Sequence, residues 1–147
     1  MTSSSGGVSR TSRSSDADVE PAGSLRAVSA IDRTAVAAVF AGGVVGTLAR
    51  AGLLEAVPSA PGAWPWATYA ANIAGALALG WVAARTPRGS RQRALLGTGL
   101  CGALTTFSTM QLELLEMIDA RRIALALGYV LASVAAGLAA VALGRRL

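Results

Sequence analysis

The sequence contains no lysine and no histidine, and Cys101 is its single cysteine. Lack of histidine removes the commonest metal ligand and the usual proton carrier near neutral pH. A lone cysteine excludes an intrachain disulfide and a thiolate metal cluster. Charge is also scarce: charged residues make up 14% of the 147 residues while hydrophobic ones make up 53%. That balance argues against a soluble globular domain. No carboxylate lies in the middle of an apolar run, since Glu55, Glu113 and Glu116 stand near run ends. A four-span, proton-coupled exporter of the small multidrug kind needs such a carboxylate, so that class is disfavoured. No nucleophile–base pair is recognisable, so the chain does not read as an enzyme.

All 13 basic residues are arginine, against 8 acidic ones, giving a net charge of +5. Such an excess can mark a nucleic-acid binder. Here the arginines lie at the ends of apolar runs and form no continuous patch, which excludes that partner. The placement is the one membrane topology produces.

Residues 1–33 are rich in Ser and Gly with scattered charge. They bury too little apolar surface to offset ordering entropy, so they read as a disordered polar tail. No signal-peptide core lies near Met1, so no cleavage is expected. Residues 34–147 form the membrane domain. Four apolar runs are near the roughly 20 residues needed to cross a bilayer: about 34–54, 66–84, 94–117 and 123–143. The fold class is therefore an all-α membrane protein with four transmembrane helices. Arg85, Arg88, Arg91 and Arg93 form the strongest positive cluster beside a span, which puts that loop and both termini on the cytoplasmic side. Trp64, Trp66 and Tyr69 cluster where an interfacial aromatic belt would sit.

The third run is not a plain span. Gly99, Gly102, Thr105, Thr106, Ser108 and Thr109 fall in its middle. Glycine gives up backbone order and clustered hydroxyls offer competing local hydrogen bonds. This pattern has two readings. It is a helix broken at bilayer depth, tolerated where backbone lines a cavity or is buried in protein. Or it is a small-residue packing face with hydroxyls bonding back to their own carbonyls. Other polar positions are equally two-sided. Thr68 and Asn72, four apart, share a face as interhelical glue or as pore donors. Tyr129 and Ser133 repeat the spacing, with Gly137 extending that stripe. Gly42 and Gly46 permit close helix contact, and Arg50 continues their stripe as a headgroup anchor or as an anion-attracting charge.

Taken together, residues 42–50, 68–75 and 99–109, with Glu113 and the Tyr129/Ser133 pair, resemble the Fluc (CrcB-type) fluoride channel family. The resemblance covers about residues 36–144. It implies a passive, fluoride-selective channel in the cell inner (plasma) membrane that lowers cytoplasmic fluoride and so confers fluoride resistance. It also implies an antiparallel dual-topology dimer with two pores and a central structural sodium ion. By the resemblance, sodium is held by the backbone carbonyls of Gly102 and Thr105. The fluoride pore involves Asn72, Phe107, Met110, Tyr129, Ser133, Thr68 and Ser108, and Gly42, Gly46, Arg50 and Glu113 are structural. Two departures stand out: the family's second pore phenylalanine is Met110 here, and a fourth-span serine is Gly137. The arginine bias also opposes two-way insertion. Partners are therefore fluoride, the lipid bilayer, and either a second copy or a paralogous subunit that makes a heterodimer. In the latter case this chain is a half-conducting or non-conducting subunit.

Overall fold

The structure, a computed structural model, describes residues 32–147; the tail read over 1–33 lies outside the described residues except for its last two positions. The described chain is all-helical. Helix α1 is Arg33–Ala56 and α2 is Trp66–Arg85. A π-helix, Arg93–Cys101, follows and runs into a single α turn, α3, Gly102–Leu104. Then come α4, Phe107–Asp119, and α5, Ile123–Gly144. Helices α1, α2 and α5 are each long and apolar enough to cross a membrane. With the composite third element between α2 and α5 they make a multi-pass helical membrane protein.

Local chemistry fixes the ends. Asp32 caps α1 by accepting the Thr34 N–H at 3.0 Å, satisfying one of the orphan donors of a first turn. Helix α2 stops at Thr86, whose backbone is extended just before Pro87, as the proline ring requires. Ser90 accepts the Arg93 N–H at 3.2 Å where the π-helix begins. The sharp α4–α5 turn places Arg121 at φ 56°, and Arg122 donates to the Gly62 carbonyl at 3.3 Å, tying this turn to the α1–α2 loop.

Two helix pairs carry the packing: α1 against the π-helix, and α2 against α5. The first pair is nearly backbone on backbone. A Cβ on Gly99 would stand 2.6 Å from the Val39 carbonyl oxygen and 3.0 Å from the Gly42 Cα. A Cβ on Gly42 would overlap the Leu95 carbonyl, and one on Gly46 the Leu100 carbonyl. The absence of side chains is what allows this closeness, the usual device of helix contact in lipid. One small core cluster joins Met117, Ala126 and Tyr129, with Trp64, Tyr69, Met110, Leu114 and Leu125 against it. Large apolar side chains such as Phe40, Leu48, Leu131 and Leu138 are instead exposed, as lipid-facing residues are.

Candidate functional site

The third element is interrupted. Thr105 (φ −77°, ψ 147°) and Thr106 (φ −144°, ψ 115°) are extended between α3 and α4. Two hydrogen-bond sets shape this gap. On the α3 side, Thr105 N–H donates to the Cys101 carbonyl at 3.1 Å, and its hydroxyl donates to the same oxygen at 3.0 Å. This is the local back-bonding that Ser/Thr offers. On the α4 side, Thr106 is the N-cap: its Oγ1 accepts the Thr109 N–H at 3.2 Å and lies 2.9 Å from the Thr109 hydroxyl.

Asn72 of α2 closes the remaining groups. Its Oδ1 accepts the Thr106 N–H at 2.8 Å, and its Nδ2 donates to the Thr106 carbonyl at 3.2 Å. An Asn carries two N–H donors and an oxygen with two lone pairs, so one donor is left. Thus α2 holds the extended residue by its main chain. Gly75, one turn on, makes room: a Cβ there would overlap the Thr105 methyl.

The carbonyl ends at the gap are left largely open. Among the described residues the Gly102 carbonyl receives only the Thr105 hydroxyl at 3.5 Å, a long contact. Among the hydrogen bonds of the described residues none is received by the Thr105 carbonyl. Gly102 is exposed and Thr105 half-buried, so neither residue is enclosed by the chain. Beyond the gap, Phe107 is 70% exposed, and Ser108 is exposed beside it. Met110 turns the other way, against the Met117–Tyr129 core.

A second polar cluster lies further along α4. Glu113 accepts from the Thr68 hydroxyl through Oε1 and from the Tyr129 hydroxyl through Oε2, the latter at 3.0 Å. Thr68 and Tyr129 are both fully buried, so one carboxylate links α2, α4 and α5. Burial of polar groups is tolerable when each is hydrogen-bonded, and this set satisfies that condition. Trp64 roofs it, with its ring 5.3 Å from Tyr129 and 5.5 Å from Tyr69. A cleft of about 370 Å³ opens onto Thr68, Thr109, Glu113 and Glu116 from the α1–α2 loop. One turn along α5 from Tyr129, the Ser133 hydroxyl is buried without a partner among the described residues. Arg50 is half-buried and makes no ion pair or hydrogen bond among them.

The residues singled out by sequence therefore divide. Asn72, Thr105 and Gly102 meet at the interruption, while Thr68, Glu113 and Tyr129 meet at the carboxylate cluster. Gly42 stands against the π-helix, away from both, while Gly46 lies against Leu100 and the α3 turn just before the interruption. Thr106, Gly75 and Trp64 were not picked out as site residues. Thr106 carries a signal: a hydroxyl residue immediately before a periodic apolar segment is an N-cap pattern.

Comparison with known proteins agrees in length and kind. Residues 37–145 match the family model described as CrcB-like protein, Camphor Resistance (CrcB). The chain is 50% identical over 120 residues to the fluoride-specific ion channel FluC 1 of Mycolicibacterium paratuberculosis, covering 79% of this chain and 91% of that relative. It is 47% identical over 114 residues to FluC 1 of Mycobacterium bovis, covering 75% and 86%. To FluC 2 of Nocardia farcinica it is 36% identical over 123 residues, covering 78% and 84%. The relatives bear the name of ion channels, not of enzymes. On this match, which spans every helical pass, the chain belongs to the CrcB family.

Proposed function

We propose that this chain is a passive fluoride channel that lets fluoride leave the cell, working as an antiparallel dimer in the cytoplasmic membrane with both termini of the arginine-biased orientation inside. The observation that carries this reading is the interruption at Thr105–Thr106. It puts the carbonyl end of α3 and the amide end of α4 side by side. A helix end of the first kind favours a cation and one of the second an anion.

The donor set at the gap fits a sodium ion. The Gly102 and Thr105 carbonyls are hard oxygen ligands, nearly free of internal partners, on residues that the chain does not enclose. A resident cation there would offset the repulsion between an entering anion and the apolar interior. The chain's own side chains supply the rest. Fluoride is small and strongly hydrated, so a pore must replace that shell with donors. The spare Asn72 N–H, the unpartnered Ser133 hydroxyl and the Ser108 hydroxyl are such donors, and Phe107 offers the electropositive edge of its ring. Thr68 and Tyr129 already donate to Glu113, which favours their holding the pore wall in place.

Fluoride efflux from liposomes holding the purified chain, followed with a fluoride electrode, tests the reading. Rapid efflux, with chloride left behind, is the expected result. Liposomes that retain their fluoride, or lose chloride equally fast, overturn it.

A second reading has its own support. Met110 stands where a second ring is implied, and it packs into the protomer core instead. With the arginine bias, this favours a half-conducting subunit paired with an oppositely biased paralogue. Efflux that appears only when such a partner is co-reconstituted supports this version.

A further inference from the structure

At the end of the bundle opposite Glu113, α2 and α5 terminate together beside the start of the π-helix. Between them is a cleft of about 590 Å³ lined by Leu79, Thr86, Arg88, Arg93, Val141 and Arg145. Three arginines converge here, and no acidic residue is among the described residues that line it. The cleft at the far end contrasts sharply, since Glu113 and Glu116 line that one. Arg93 is held in place by donating to the Thr86 carbonyl at 3.4 Å, which leaves further guanidinium N–H groups free. Thr86 and Arg145 are the caps of α2 and α5, so the arginines stand at the boundary where the apolar helices end. Leu79 and Val141 lie deeper on the same helices and give the cleft an apolar floor.

An arginine cluster at the rim and an apolar wall below match one ligand chemistry: a phosphate ester carrying hydrocarbon. Guanidinium groups bind phosphate in paired hydrogen bonds that a single ammonium does not make. Basic pockets beside transmembrane helices at the positively biased end are the places where anionic headgroups bind. We propose that this cleft binds an anionic phospholipid, its phosphodiester between Arg88, Arg93 and Arg145 and an acyl chain against Leu79 and Val141. The site is separate from the interruption, and its occupancy does not depend on which ion the protein conducts.

The test uses the whole chain in detergent and counts bound lipid by native mass spectrometry, with phosphatidylglycerol and phosphatidylcholine of the same acyl chains. Phosphatidylglycerol is retained about tenfold better than phosphatidylcholine. Arg88→Gln/Arg145→Gln removes that preference. Arg91→Gln/Arg146→Gln removes equal charge from the same end, outside the cleft, and keeps it. Equal loss in both double variants, or loss in neither, overturns the site. Inorganic phosphate separates the sources: if it displaces phosphatidylglycerol and raises the unfolding temperature as much, the ligand is a soluble phosphate and the lipid assignment falls. An unchanged unfolding temperature for both double variants without lipid shows that the fold is intact.

Discussion

Asn72 grips Thr106 by both polar groups of its main chain, at 2.8 Å and 3.2 Å, across 34 residues of sequence. A side-chain amide thereby stands in for the neighbouring strand or helix turn that an extended residue ordinarily needs. Asn72→Ala removes both bonds and leaves a partly buried amide and carbonyl without partners, a loss of about 2–4 kcal/mol. The unfolding free energy of the purified protein should fall by that amount together with fluoride efflux. Efflux lost at unchanged stability would mean that Asn72 acts on the ion and not on the backbone.

Tyr129→Phe and Thr68→Val each remove one donor from Glu113. Each should cost roughly 1–2 kcal/mol, because a partly buried carboxylate oxygen is left short of a partner. The two changes share one acceptor group, so the double variant should depart from the sum of the singles by at least about 0.5 kcal/mol. A double-variant cycle of unfolding free energies checks this; strict additivity would show that the two hydroxyls act independently.

Adjacent glycines give an internal control. A Cβ at Gly42 would strike the Leu95 carbonyl, whereas one at Gly43 meets nothing within 4 Å. Gly42→Ala should destabilise by about 1–3 kcal/mol through overpacking. Gly43→Ala should change stability by no more than about 1 kcal/mol, and in the favourable direction, as helix propensity dictates. Similar effects from both would mean that α1 does not approach the π-helix as closely as described.

Met110→Phe addresses the half-conducting reading. Restoring the second ring should raise efflux from liposomes holding this chain alone, provided the core around Tyr129 accommodates it. Efflux that stays flat while the protein remains folded counts against the missing ring as the limiting feature.

Asp32 supplies the pH prediction. The Thr34 hydroxyl and N–H both donate to its carboxylate, which lowers its pKa below the ordinary aspartate range. The charged form is the one favoured in the folded chain. Its contribution to the start of α1 is therefore present above the unfolded-state pKa and is lost as pH falls through the depressed folded value. The Thr34 amide proton, followed by NMR, should titrate with a midpoint below that of an unstructured aspartate. A midpoint at or above it would contradict the cap.

Hydropathy located the three long apolar helices and placed a fourth helical run between α2 and α5, since runs of Ala, Leu and Val near 20 residues have few other uses. The glycine and hydroxyl pattern at 99–109 marked where the third element is unusual. Which of the two readings applied was not legible there. Both kinds of contact turn out to coexist, as Thr105 bonds back to Cys101 while Thr106 is held from α2. The pairing of Asn72 with Thr106, and of Glu113 with Thr68 and Tyr129, depends on how separate helices are placed, and no local spacing encodes that. The π winding has no local signal either. Its sequence, Arg93 to Cys101, has the same small and apolar residues as an α-helix, and what sets it apart is its close packing on α1.

That winding sets an angle. Each residue of an α-helix turns the chain by about 100°. In the π form the ring of each hydrogen bond holds one residue more. Were the segment from Arg93 to Cys101 to rewind as α at the same length, each residue would turn the chain further and everything downstream would swing around the axis. The nine-residue segment thus works as a vernier. It aims the Thr105 carbonyl and the Phe107 ring relative to the fixed bearing of α1, and a change of one residue in its length would point them elsewhere.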